Sequence, residues 1–230
     1  MSDRLEPTSG RTAICGRALP SRPAGAPHGD GFATPKGSPK DSMSMLNYAR
    51  HFCLLICLTV VLAVTSTLSV APTLVGAFGL YGALHASAIA VSLREPKPLR
   101  RQVLFIVSGA TLSMASLSFG LLVIRIGGAL PGMSKPAVSL ALSSGIGAAA
   151  YALVLRLCFD APLAPPAVGS IALGCVLATL AVLGSRLYLH GGSLWFAAAW
   201  WFAFSAGLWR ADMARTEGLR TKARAPSRIH

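Results

Sequence analysis

His85 is the one ionisable side chain deep inside a 22-residue apolar run, Pro72–Leu93, that contains no Lys, Arg, Asp or Glu. An imidazole in such a place can ligate a metal, take a proton from a nucleophile or hydrogen-bond a solute. Its metal partners would be Cys53 and Cys57, one helical turn apart and level with His85 if the chain reverses at Ala71-Pro72-Thr73. Thiolates and an imidazole suit a soft ion such as Cu(I) or Zn(II). The candidate nucleophile is Ser144, within Leu142-Ser143-Ser144-Gly145, and the candidate base is His190 of His190-Gly191-Gly192. A solute pathway would draw on Arg125, Lys135, Arg186 and His190, all at the ends of apolar runs and all favouring an anionic or neutral solute over a cation. Trp200 and Trp201 add rings between which a ligand could stack.

Other chemistry is missing. All eight Asp and Glu lie in tails or connecting loops, which argues against proton- or sodium-coupled pumps and intramembrane aspartyl proteases, since these place carboxylates at mid-membrane. There is no His-Glu-x-x-His pair and no phosphate-binding glycine loop. No cofactor is expected.

The elements that must position these residues are helices. Of the 230 residues, 53% are hydrophobic, and the mean hydropathy is +0.58. The apolar part divides into six runs at about 52–70, 72–93, 102–124, 136–158, 167–185 and 187–209, each long enough to cross a bilayer as a helix. The expected fold is an all-α integral membrane protein with six transmembrane helices in one bundle. The net charge of +13 is unevenly placed: with the N-terminus inside, 18 of the 21 Lys and Arg fall on the inner side and only Arg125, Lys135 and Arg186 on the outer. That asymmetry predicts cytoplasmic tails at both ends, in an inner (plasma) membrane, with the basic loops against anionic lipid headgroups rather than nucleic acid.

Three regions follow. Residues 1–45, with six Pro and six Gly, are predicted to be a disordered cytoplasmic tail; Met43 and Met45 are alternative starts. Residues 46–209 form the transmembrane domain, and 210–230 a basic cytoplasmic tail able to continue as a helix along the membrane surface. The five cysteines include none in an outer loop, so no structural disulfide is expected.

Within the second run, Gly76, Gly79, Ala83, Ala86 and Ala90 line one side, and Phe78, Tyr81, His85 and Ile89 the other. Both sides want protein rather than lipid, making this the central helix. Similar small-residue stripes occur in the third run (Gly109, Ser113, Ser116, Gly120), the fourth (Ser139, Ser143, Gly147) and the fifth (Ser170, Gly174, Ala178, Ala181, Ser185). In the sixth, a groove of Ala199, Ala203 and Ala206 is expected to meet a neighbour while the aromatics face lipid, with Trp195 and Trp209 at the two interfaces. Arg156 is placed to meet Asp160, four residues on.

Six spans, a Ser-Gly step in the fourth and a histidine next to the sixth resemble the rhomboid intramembrane serine proteases. The resemblance implies Ser144 as nucleophile and His190 as base, with His85 near the family's second-span histidine. The first expectation is nevertheless a non-enzymatic membrane component: a small permease- or channel-like bundle, or an accessory subunit of a larger complex. Small-residue seams on several helices also suit a homo-oligomer.

Overall fold

Proline and left-handed residues mark where the helices of this protein begin and end. The structure, a computed structural model, describes residues 44–66, 74–126, 135–186 and 192–224. Among them are six helices: α1 (Tyr48–Ser66), α2 (Leu74–Ser92), α3 (Leu99–Ile126), α4 (Lys135–Phe159), α5 (Pro165–Ser185) and α6 (Ser193–Arg224). Helix α4 stops where Asp160 turns left-handed (φ 55°). Helix α5 starts on Pro165-Pro166, whose missing N–H groups cost nothing in a first turn. It ends on the left-handed Arg186, whose N–H donates to the Leu183 carbonyl.

The fold is all-helical among the described residues. Three segments, Leu99–Arg125, Ala137–Phe159 and Pro165–Ser185, are long and apolar enough to cross a membrane, and Tyr48–Val64 and Gly76–Ser92 are shorter apolar helices. All described residues belong to one unit, 39–230. Consecutive helices from α2 to α6 pack side by side, and α6 returns to touch both α1 and α2. The centrality expected of the second run is observed: Ala86, Ile89 and His85 are fully buried.

Neighbouring helices run antiparallel, which gives the bundle two ends. At the first, Leu46 bridges Leu93, and the Asn47 N–H donates to the Ser92 carbonyl at 2.9 Å. There too Arg101 at the start of α3 pairs with Asp160 after α4 at 2.6 Å. Asp160 therefore meets Arg101, and the expected partner Arg156 is exposed on α4. The Met45 N–H donates to Asp212 Oδ2 of α6 at 3.2 Å. Burial, and then the Asp212 carboxylate beside it, hold the Tyr48 hydroxyl well above the usual tyrosine range, so it stays protonated and can donate to that carboxylate. Residues 44 and 45 are thus part of the bundle, contrary to the tail expected through residue 45. Residues 1–43 and the turn at Ala71-Pro72-Thr73 lie outside the described residues.

The seams of small residues are where backbones approach. A Cβ on Gly82 would collide with the Gly109 carbonyl oxygen and with Ser113, so α2 and α3 can touch only because Gly82 has none. Between α3 and α4 the Ser139 hydroxyl donates to the Gly120 carbonyl and that of Ser116 to the Ser143 carbonyl. The expected stripe on α5 is corrected: Ser170, Ala181 and Ser185 are exposed, and Ile171, Cys175, Thr179 and Val182 face the bundle. Helix α6 runs unbroken for 32 residues to Arg224, about 48 Å at 1.5 Å per residue, so the tail after residue 209 continues helical.

Candidate functional site

The sixth helix turns its rings inward. Trp201, Phe204 and Ser205 are fully buried and Trp200 is half-buried, whereas Ala206 is exposed. This corrects the expectation that the aromatics face lipid for Trp200, Trp201 and Phe204, while of the alanine groove Ala203 packs against the core and Ala206 does not. Pattern alone leaves the choice open, because lipid and a helix-bundle interior are equally apolar. Ring packing decides it. His85 of α2 lies within a set of aromatic rings: parallel to Trp201 with centroids 6.0 Å apart, edge-on to Trp200 at 5.6 Å and to Phe204 at 5.5 Å, and 5.5 Å from Tyr151 of α4.

On one side of this layer is a polar knot. Ser205 Oγ lies 2.8 Å from His51 Nε2 and 3.4 Å from His85 Nε2, and all three side chains are fully buried. His51 Nδ1 is buried and has no hydrogen-bond partner among the described residues. Sequence reasoning missed His51, which stands one residue before the first apolar run. The signal was its spacing from Leu55, one turn on and equally buried.

On the other side of the layer is a cavity of about 260 Å³ bounded by α2, α3, α4, α5 and α6. It extends from Gly192 and Leu121, near the second end of the bundle, to Tyr151 and Trp201 in the middle. Its wall combines aromatic rings (Phe78, Tyr81, Trp200) with hydroxyls (Ser113, Thr179), and among the described residues no Asp, Glu, Lys, Arg or His is part of it. Most of the hydroxyls already serve the fold. Ser144 donates to the Cys175 carbonyl at 3.1 Å and lies 2.9 Å from Thr179 Oγ1. Tyr81 and Ser193 hydroxyls are 3.4 Å apart. Trp200 Nε1 donates to the Ser144 carbonyl at 3.4 Å, fixing the indole across the floor. The Tyr151 hydroxyl is different: the residue is 1% exposed, and its oxygen has no hydrogen-bond partner among the described residues.

Of the residues singled out from sequence, His85, Trp200 and Trp201 are together, and Ser144 joins the last two at the cavity. The metal set does not assemble. Cys53 and Cys57 are exposed while His85 is buried on another helix, and no three His, Cys, Asp or Glu among the described residues are grouped to hold an ion. Equal depth had fixed height and not direction: residues 53 and 57 each stand two positions, about 200°, around α1 from the buried His51 and Leu55. Arg125 and Arg186 are exposed and take no part in the cavity wall. His190 lies outside the described residues, and the partners of Ser144 within them are Cys175 and Thr179 together with the Trp200 indole on its carbonyl. The chain matches no protein-family model, no curated protein and no solved structure.

Proposed function

We propose that the chain is a six-span protein of the inner membrane with both tails in the cytoplasm, and that its bundle is a small permease-like unit for an uncharged solute. The charge asymmetry of the loops supports the orientation. The shared end of α1 and α6, joined through Met45 and Asp212, supports placing both tails on one side. Trp195 and Trp209 are 39% and 49% exposed on the surface of α6.

One observation carries the solute class: a cavity inside the bundle whose wall, among the described residues, holds no ionisable group except the tyrosine phenols. A charge entering it would lose its hydration and find no counter-charge, a cost of several kcal/mol. The exposed Arg125 and Arg186 lie outside it, so the choice between anionic and neutral solutes goes to neutral. Stopped-flow light scattering on reconstituted vesicles tests this. Vesicles containing the protein are expected to swell faster than protein-free ones in isotonic small amides or polyols, with no added chloride or potassium conductance. Equal swelling, or ion currents that appear with the protein, would overturn the reading. Reporter fusions at residue 230 that prove active in the periplasm would overturn the orientation.

A further inference from the structure

We infer that the cavity binds an aliphatic amphiphile with an uncharged oxygen head, the head bridging the Tyr81 and Ser193 hydroxyls and the chain running inward to Trp200. This deepens the uncharged-solute reading and rests on it. Most hydroxyls of the wall have their protons committed: Ser116, Ser143, Ser144 and Thr179 donate to backbone carbonyls. Tyr81 of α2 and Ser193, the first residue of α6, are placed differently. Both are half-buried and both line the cavity, yet their oxygens are 3.4 Å apart, wider than the roughly 2.7–2.8 Å of a well-made O–H···O bond. A third oxygen fits against that gap at about 2.8 Å from each. A ligand hydroxyl there accepts from one and donates to the other, and a carbonyl accepts from both. The Tyr81 ring is held for this contact, edge-on to Phe78 at 5.9 Å and to Trp201 at 6.1 Å.

The rest of the wall defines the chain. Phe78, Leu112, Leu140 and Phe196 line it and are each half-buried, so they offer hydrocarbon and ring surface to an occupant. Trp200, also half-buried, closes the run. Ser193 and Trp200 stand seven residues apart on α6, about 10.5 Å along the axis, which sets the length of chain the site can cover. Ser113, over Gly82 in the same wall, does not bar a hydrocarbon, since its hydroxyl can return to the carbonyl four residues back, as Ser87 does to Ala83. The volume of about 260 Å³ exceeds the roughly 150 Å³ that holds a benzene ring, so an alkyl chain of medium length fits. A plain hydrocarbon would leave the gap between Tyr81 and Ser193 open, and a carboxylate or ammonium head would find no counter-charge among the described residues.

Photolabelling of the full chain in nanodiscs with a diazirine-bearing octanol, mapped by mass spectrometry, is expected to give saturable adducts on Tyr81, Phe196 or Trp200. Unlabelled primary alkanols should compete with an affinity that rises roughly fourfold per added CH₂ and levels off once the chain reaches Trp200. Partition into the bilayer would keep rising instead. Octanoate and octylammonium should compete less well by on the order of a hundredfold. Tyr81→Phe should weaken every alkanol about fivefold whatever its length, because it removes the contact to the head and leaves the chain's wall in place. Ser193→Ala is the second probe if Tyr81→Phe does not fold. The inference is overturned if adducts fall only on outward side chains such as Val60 and Leu122, if affinity climbs without levelling off, if the charged analogues compete equally, or if Tyr81→Phe binds as well as wild type. A phospholipid tail that copurifies in the site and is not displaced would overturn it too. Swelling in polyols without alkanol binding removes this inference and leaves the permease reading standing; saturable alkanol binding without flux does the reverse.

Discussion

His51 on α1 and His85 on α2 converge on a single hydroxyl, Ser205 Oγ of α6, at 2.8 and 3.4 Å. One hydroxyl proton can be given to only one of two imidazoles, so with both rings neutral the serine donates to one Nε2 and accepts from the other. The two rings carry opposite tautomers, and three helices are tied at one buried point.

Removing the shared atom should therefore be costly. Ser205→Ala strands two buried ring nitrogens and is expected to lower stability by about 1–3 kcal/mol, read from thermal unfolding in detergent. Combined with His51→Leu, the loss should be smaller than the sum of the single losses by more than about 0.5 kcal/mol. Strict additivity would show that the knot contributes nothing as a unit.

The α2–α3 contact makes a sharper claim about volume. Gly82→Val puts methyl groups into the Gly109 carbonyl and Ser113 and should cost about 1–3 kcal/mol. Gly169→Ala, with nothing within 4 Å of the new methyl, should be neutral or gain up to about 1 kcal/mol from helix propensity. Thermal unfolding of the two variants side by side checks both signs.

At the first end of the bundle, the Arg101–Asp160 pair is largely exposed, with side chains 47% and 69% accessible. Asp160→Asn keeps a residue tolerant of the left-handed backbone and removes only the charge, so the loss should stay below about 1 kcal/mol and vanish in high salt. Asp160→Val adds β-branched strain at φ 55° and should cost about 1–2 kcal/mol more, independent of salt. Unfolding midpoints across a salt series separate the two effects.

Tryptophan depth offers a test of membrane placement. Lipids brominated near the headgroup should quench Trp195 and Trp209 in single-tryptophan variants, and Trp201, 1% exposed, should resist bromine at every depth. Strong quenching of Trp201 by bromine at mid-chain would mean that α6 presents the opposite face.

The seams of α2, α3 and α4 could be read from the sequence because a run of Gly, Ala and Ser leaves no side chain that lipid would favour, and contact with another backbone is what remains. Gly120 and Ser139, and Ser116 and Ser143, do meet across α3 and α4. The same logic failed on α5, where Ile171 and Cys175 are buried and Ser170 is exposed. An exposed serine can return its hydroxyl to its own helix, as Ser170 does to the Ala167 carbonyl. Small size is thus a permission to pack and not an instruction. His85 and the pair Trp200 and Trp201 were visible as candidates, but their meeting was not, because it depends on which neighbours α6 takes in three dimensions. Ser205 was hidden among aromatics for the same reason.

Helix α6 contains no proline between Ser193 and Arg224, and it carries Trp200 and Trp201 at the cavity, Ser205 at the histidines and Asp212 at Met45. These three stations ride on a single stiff rod. A pull on its final turns would tilt all of them together, as a lever moves everything fixed along it.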